Sequence, residues 1–402
     1  MSTVYAGIDV GKRKHEVTYI DTAGQQLGKS LVFDNSPQGI KMVLDRSATL
    51  EADEVVYGLE ATGHYWLPLY AALTASGSAV KVINPLQPDS LRNMYIRVTK
   101  NDRKDSFLVA EVLRFGRYTE TKVADEPIVQ LRELSRMRVE FVESVGGIKQ
   151  RILGILDRIF PEFESCFSSG LGRTAIEILQ AYPDPEDLAH CDLDELTRLL
   201  QECSRGKFAR DKANQLKNCA ANTFGTRFGI DAFVLQLKLL LDQLNFIMDQ
   251  VKQIDRAISE LMQEHQLILT IPGIGPVLGA AILGEIGDIS RFDSPKKLRA
   301  YAGLDASVYQ SGNFRASMAR ISKRGSPYLR RAFWMAAQVA RMYDPNCREF
   351  YQRLRDRGKH PKQAQAAVAS KLCGIVYAVL SKNQAYDPNF NASFDKKSLD
   401  LS

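Results

Sequence analysis

Up to about residue 84 the apolar residues fall in short runs separated by polar turns, and beyond Glu126 they settle into a long helical rhythm. The short runs predict strands at Val4 to Asp9, His15 to Ile20, Ser30 to Phe33, Val55 to Leu59 and Val80 to Ile83. Helical spacing predicts helices from Pro37 to Asp45 and from Tyr65 to Ser76. Short turns containing Gly and Asp join the first three strands, as in an antiparallel meander. The last two strands are separated by helices, as parallel strands require. This is the pattern of an α/β domain. Further helices are expected from Pro88 to Val98 and from Asp105 to Phe115.

Two heptad tracts dominate the chain beyond Glu126. In the first, Leu134, Phe141, Ile148 and Ile155 recur every seven residues beside Leu131, Val145, Ile152 and Ile159, and Arg138 interrupts the second series. The second runs through Ile230, Leu237, Leu244, Val251 and Ile258, with Phe233, Leu240, Ile247, Ile254 and Leu261 at the companion positions. A seam this long favours oligomerisation, as a dimer or tetramer, although the pattern does not say whether the tracts pair within or between chains. Between them, about residues 161–228 hold short helical segments broken by Gly170, Pro183 and Pro185, with no role assignable from sequence. Pro272-Gly273-Ile274-Gly275 then precedes a helical stretch from Val277 to Leu283. This Gly-x-Gly turn is similar to a helix-hairpin-helix, in which backbone N–H groups at a helix start grip a phosphate. Ala-rich helices are expected at Ser326 to Met342 and His360 to Ser381, and the polar tail from Asn383 reads as loose.

Composition narrows the class. With 402 residues, 45% hydrophobic and 25% charged, the chain has enough apolar content for two or three folded domains. The sequence begins without an apolar signal core and has no run of about 18 uncharged apolar residues, so the expected place is the cytoplasm, with no membrane partner. Cys166, Cys191, Cys203, Cys219, Cys347 and Cys373 form no CxxC pair, which argues against a zinc site and a disulfide framework. The net charge of +6 is modest but unevenly spread. From Ala306 to Tyr343 there is no acid, while Arg315, Arg320, Lys323, Arg324, Arg330, Arg331 and Arg341 all fall inside, which points to a polyanionic partner.

The candidate chemistry begins with carboxylates. Asp9 follows the first apolar run and precedes Val10-Gly11, and Glu60 ends the run Val55-Val56-Tyr57-Gly58-Leu59 in the same manner. Asp102 and Asp105 stand three apart at a helix start, amid Lys100, Arg103 and Lys104. In a ribonuclease-H-like sheet the strands ending in Asp9 and Glu60 are expected to be neighbours. Four oxygen ligands from three elements suit Mg²⁺, and the surrounding cations suit a site that also holds phosphates. The first phosphate loop of actin-like sugar kinases shares the Gly7-Ile8-Asp9-Val10-Gly11 pattern, but the second Asp-x-Gly loop and the Gly-rich adenosine site are missing from the sequence. Ser311, before Gly312 at the head of the basic tract, is a candidate nucleophile, with Ser307, Ser317, Ser322 and Ser326 as competitors. No His follows it within a dozen residues, so a serine-hydrolase triad is not supported.

Taken together, Gly7-Ile8-Asp9-Val10, Leu59-Glu60-Ala61-Thr62-Gly63, Lys100-Asn101-Asp102-Arg103-Lys104-Asp105, the Pro272 to Gly275 turn, and Gly303-Leu304 through Gln310-Ser311-Gly312 to Ile321-Ser322-Lys323-Arg324-Gly325 resemble the DEDD-type insertion-sequence transposases and the related Piv DNA invertases. The match runs through nearly the whole chain in order, and about 161–228 resembles the family least. The resemblance implies a RuvC-like DEDD nuclease domain over 1–125, a coiled-coil helical domain over 126–262, a mainly helical transposase domain over 263–382 and a tail over 383–402. It also implies an acidic tetrad of Asp9, Glu60, Asp102 and Asp105 holding Mg²⁺, and Ser311 as nucleophile. Exchange between donor and target DNA would pass through a transient phosphoserine bond, guided by a bridge RNA encoded in the element. Gly273, Gly275, Arg315, Arg320, Lys323 and Arg324, with Lys100, Arg103 and Lys104, would contact nucleic acid. Because the acids and the serine lie roughly 200 residues apart, the implied site is composite. The rivals are a RuvC-like nuclease or junction resolvase using water, and a non-catalytic nucleic-acid scaffold.

Overall fold

The computed structural model describes residues 2–60, 64–83, 102–116, 125–168, 170–305, 310–311, 314–315 and 321–388, with 102, 103, 310, 311, 314 and 315 described by backbone alone. The chain forms two compact units, Met1–Ala124 and Asp125–Ser402. In the first, strands β1 (Thr3–Val10), β2 (Lys14–Ile20), β3 (Leu31–Asp34), β4 (Glu54–Glu60) and β5 (Ala79–Ile83) are accompanied by helices α1 (Pro37–Ala48), α2 (Trp66–Ala75) and α3 (Asp102–Phe115). The sheet order is β3-β2-β1-β4-β5. The meander β1-β2-β3 is antiparallel, and β4 and β5 run parallel to β1. The helix expected from Pro88 to Val98 lies outside the described residues.

Alternation along β1 sorts its side chains between the two faces. Val4, Ala6 and Ile8 join Val17, Tyr57 and Leu59 in a core closed by Val43 of α1 and by Leu69 and Leu73 of α2. On the other face Tyr5 and Val56 pack against Val109, Val112 and Leu113 of α3. Ser36 caps α1 by accepting from the Gly39 N–H at 3.1 Å, and Pro37 occupies the first turn, where its missing N–H costs nothing.

The second unit is helical. Its longest helices, α4 (Glu126–Ile159) and α9 (Ile230–Leu261), carry the heptad tracts and lie antiparallel against each other within the one chain. Arg138, which interrupts the heptad, donates to Asp255 at 2.5 Å, and Arg158 lies 5.5 Å from the Phe233 ring. The seam that suggested oligomerisation is therefore filled in large part within the chain. Between these helices, α5 (Arg173–Ala181), α6 (Pro185–His190), α7 (Leu193–Ser204) and α8 (Arg210–Ala221) share a core with the C-terminal part of α4 and the N-terminal half of α9, through Ile148, Ile152, Leu241 and Leu244. Glu162 ties the two ends of this insertion, accepting from the Thr223 hydroxyl at 2.6 Å and the Phe224 N–H at 2.9 Å.

After α9 come α10 (Gln266–Leu269), α11 (Pro276–Ile286), α12 (Pro295–Tyr301), the two-residue strands β6 (Gln310–Ser311) and β7 (Phe314–Arg315), and helices α13 (Pro327–Tyr343), α14 (Pro345–Asp356) and α15 (Pro361–Lys382). Helix α14 has no counterpart among the expected elements. Asp344 ends α13 and starts α14 by accepting from the Cys347 N–H at 2.9 Å, so one residue reverses the chain without a loop. Helix α15 has the length and apolarity to cross a membrane, yet half of that stretch is buried, with Val368, Leu372 and Val376 in the core. Asn383–Pro388, expected to begin a loose tail, is docked. The Tyr386 hydroxyl donates to Asp344 and the Asn346 side chain to the Pro388 carbonyl, at 2.9 and 2.6 Å. The six cysteines are free, and burial pushes the Cys373 thiol up to about 12, far from thiolate chemistry.

Candidate active site

Strand pairing brings Asp9 and Glu60 of the first unit to neighbouring positions. In the parallel pairing of β1 with β4, Gly7 lies opposite Gly58 and Ile8 opposite Leu59, so Asp9 and Glu60 follow as the next positions on adjacent strands. Both share the face that carries Gly7 and Gly58. Helix α3 crosses that face very closely. A Cβ at Gly7 would stand 2.2 Å from the Ala110 nitrogen and the Ser106 oxygen, and one at Gly58 2.6 Å from Leu113. The Ser106 and Thr18 hydroxyls, 2.7 Å apart and buried, tie the second turn of α3 to β2. Asp105, one residue before Ser106, is buried at 7% exposure, while Asp9 and Glu60 are half-buried. Asp102 begins the same helix, with its side chain outside the described residues.

One acid on this face was missed from sequence. Glu16 of β2 is the antiparallel partner of Asp9, and its carboxylate accepts from the Ser30 hydroxyl at 2.5 Å. Its signal was the hairpin register, which the sequence of the turn alone does not fix. An all-carboxylate donor set suits a hard divalent cation. Among the described residues no three His, Cys, Asp or Glu side chains form a group that could hold a metal ion. The donor chemistry of the set suits such a cation, but the described acids Asp9, Glu60 and Asp105 do not stand together as a metal-holding group, and the Asp102 side chain lies outside the described residues.

Around the candidate serine the structure describes a neck and a short hairpin. Gly303 and Gly325, both at positive φ, bring two backbones together. A Cβ at Gly303 would meet the Arg324 oxygen at 2.3 Å, and one at Gly325 the Tyr301 oxygen at 2.1 Å. Next to them the Ser322 N–H donates to the Asp305 carbonyl at 2.8 Å, and the Ser322 hydroxyl donates to the Asp305 carboxylate. Farther along, Ser311 of β6 pairs with Phe314 of β7. Two rival serines are committed to structure. Ser322 closes the neck, and Ser326 donates to the buried Glu285 at 2.7 Å while capping α13. Ser307 and Ser317 lie outside the described residues.

The basic tract divides likewise. Lys323 and Arg324 are exposed at the neck, and Lys104 is exposed on α3. Arg330 donates to the Ala302 carbonyl and Arg331 to Glu143, while Arg341 lies 4.9 Å from the Tyr351 ring, so these three serve the fold. Lys100 and Arg320 lie outside the described residues, as do the side chains of Arg103 and Arg315. The two glycines expected to grip phosphate differ. Gly273 has φ of 92° and approaches α13 so closely that a Cβ would stand 2.6 Å from the Ala336 oxygen. Gly275 caps α11 with nothing within 4 Å of a Cβ.

Two family models match the chain. A DEDD transposase model of the IS110 type matches residues 6–161, which include the acid-bearing sheet, and the transposase model of the IS116/IS110/IS902 family matches residues 265–352, which include the serine hairpin. These two matches define a transposase. The mini-circle putative transposase for IS117 of Streptomyces coelicolor is 28% identical over 401 residues, covering 96% of this chain and 95% of that protein. The pilin gene-inverting protein of Moraxella bovis is 25% identical over 394 residues, covering 96% and 98%. Among solved structures, T. thermophilus RuvC in complex with Holliday junction substrate matches 29% of this chain and 98% of its own at 15% identity, with a TM-score of 0.23. The chain belongs to the IS110/IS116 family of DEDD insertion-sequence transposases, with homology to the Piv pilin gene-inverting proteins.

Proposed function

We propose that this transposase exchanges DNA strands through a phosphoserine intermediate, with Asp9, Glu60, Asp102 and Asp105 as the metal-holding tetrad of a RuvC-like domain and Ser311 as the nucleophile. The observation that carries this reading is the register of β1 and β4, which sets Asp9 beside Glu60 on the face covered by α3. Mg²⁺ held by these carboxylates would offset the charge that develops on the scissile phosphate. The Ser311 oxygen forms a bond to phosphorus as the bond to the leaving sugar oxygen breaks. The serine proton passes to a carboxylate base and the leaving oxygen is protonated. Attack by a new sugar hydroxyl reverses the step and frees the serine, so bond energy is conserved for rejoining. Exposed Lys104, Lys323 and Arg324, with Lys100, Arg103, Arg315 and Arg320 and the open amides after Gly275, would hold donor and target phosphates. A bridge RNA encoded by the element would select the two DNA sites. Self-association is part of this reading, supported by Leu235, Leu239 and Phe246, exposed by 58–65% on the outer side of α9.

The test is a denaturing gel of labelled donor and target DNA incubated with protein, element-derived RNA and Mg²⁺. Wild type is expected to give a protease-sensitive DNA adduct, and Ser311→Ala is expected to give none. Asp9→Asn should lower adduct yield about 100-fold or more while leaving the thermal midpoint of the protein in place. Equal cleavage by wild type and Ser311→Ala, without adduct, would make water the nucleophile and the protein a RuvC-like nuclease. No metal-dependent cleavage by wild type would leave the scaffold reading.

A further inference from the structure

The helical insertion between α4 and α9 lies outside both matched family models apart from its first two residues, and its chemistry is unassigned. It contains a cavity of about 260 Å³ between the start of α5 and the turn that follows α7. Arg173, Arg205 and Lys207 line it together with Ser168, Thr174 and Ser204, and no acid lines it. Other cations of the insertion and its flanks are engaged. Arg210 donates to Asp194, Arg227 to Asp184, Lys149 to the Leu171 carbonyl, Lys212 to the Cys166 carbonyl and Lys217 to the Cys191 carbonyl. Arg173, Arg205 and Lys207 instead make no ion pair and no side-chain hydrogen bond among the described residues, although the Lys207 ammonium lies 5.5 Å from the Phe208 ring. Glu177 and Glu202 are close enough to act on the Cys203 thiol but do not line the cavity.

Three exposed cations that converge on one concavity, unpaired among the described residues, suit an anion. The backbone adds donors. Helix α5 starts at Gly172 with no side-chain cap, so the first N–H groups of the helix, at the lining residues Arg173, Thr174 and Ala175, remain without an intrahelical partner. Arg205 occupies left-handed backbone, φ 56°, where glycine would fit without strain, and so keeps a guanidinium at the rim. The volume falls just below the roughly 300–1,000 Å³ of sites that enclose a whole drug-sized ligand, and suits one phosphate with part of its sugar. We propose that this cavity is a phosphodiester-binding site that takes one phosphate of a single-stranded nucleic acid, with Arg173, Arg205 and Lys207 as its cations and the start of α5 as its amide cradle. The choice of a strand over free phosphate rests on the proposed function.

The experiment measures anisotropy of labelled oligothymidylate of about 20 nucleotides with the full-length chain, across about 50–200 mM salt. Arg205→Gly removes a cation at a position whose backbone glycine prefers, so the fold is expected to persist, and Lys207→Ala provides a second variant. Each should weaken binding about three- to tenfold and reduce the slope of log affinity against log salt by about 0.7. Arg198→Ala, an exposed cation of α7 outside the cavity lining, should change neither. Unchanged affinity and slope in both cavity variants would overturn the proposal, as would an equal loss in Arg198→Ala. Equal losses on a duplex of the same length would overturn the single-strand assignment. A thermal shift by inorganic phosphate that Arg205→Gly abolishes, with strand binding intact, would replace the strand with free phosphate. If wild type forms the Ser311 adduct while the cavity variants bind strands normally, this inference falls alone. If wild type never cleaves DNA yet strand binding depends on the cavity cations, the proposed function falls and this site stands.

Discussion

Asp9, next to last in β1, and Glu60, the last residue of β4, lie in the middle of a sheet, under a helix so close that Gly7 has no room for a methyl group. Ser311 ends a two-residue strand beyond a neck closed by Asp305 and Ser322. Backbone packing fixes the first position, since shifting β1 against α3 would disturb a whole face of the sheet. The second depends on a few hydrogen bonds and two glycine contacts. The difference matches the roles proposed for them. Groups that share one cation need a constant separation, whereas a nucleophile that must bond to DNA, release it and accept a new strand gains from a holder that is cheaper to displace.

The largest expected effect comes from filling the close approach. Gly7→Val places side-chain atoms where the Ala110 nitrogen and Ser106 oxygen stand, and neither backbone can yield without lifting α3 from the sheet. A loss of more than about 3 kcal/mol is expected, read as a lowered midpoint in denaturant, with cleavage abolished. An unchanged midpoint would show that α3 moves freely on the sheet and would end the contrast. Ser322→Ala tests the other side. It removes a hydroxyl donor from the Asp305 carboxylate and should cost about 1–2 kcal/mol or less of global stability, because the neck is partly solvated. Adduct formation at Ser311 should nevertheless drop about tenfold, measured on the same gel, since the neck sets where β6 emerges. A melting loss as large as that of Gly7→Val would make the neck part of the core instead.

The same contrast governs what can be read from sequence. Apolar runs ending in an acid mark β1 and β4 and their neighbouring places in the sheet, because strand periodicity and burial follow directly from side-chain chemistry. Periodicity starts α3 at Asp105, one turn late, since Asp102 and Arg103 carry no apolar spacing to mark the first turn. Glu16 escapes because its partnership with Asp9 is a matter of register. The Gly-x-Gly pattern does not reveal that Gly273 also packs against α13, which lies more than 50 residues along the chain. The heptads locate α4 and α9 correctly, but a heptad states that a seam exists and leaves its partner open. The Arg138–Asp255 pair, which answers that question, looks in sequence like a fault in the repeat.

The smallest effect concerns the turn just beyond Asp9. His15 of β2 is 2% exposed, its ring 5.2 Å from that of Phe33, and its Nδ1 accepts from the Gly11 N–H at 3.3 Å. An accepting Nδ1 places the neutral ring's proton on Nε2, which is buried without a hydrogen-bond partner of ordinary geometry. Burial holds the His15 pKa below 6.5, and the nearby Asn35 side chain offsets only part of that shift. Because the unfolded chain takes up this proton more readily than the folded one, the stability from neutral His15 is complete above about pH 6.5 and is lost as pH falls below it. The change should be read as a lower denaturation midpoint at pH 5 than at pH 8. His15→Gln, whose amide oxygen can still accept from Gly11, should flatten that dependence. If the midpoint of His15→Gln falls as steeply with acid as that of wild type, the titration belongs to other groups, and the turn below Asp9 is held by packing alone.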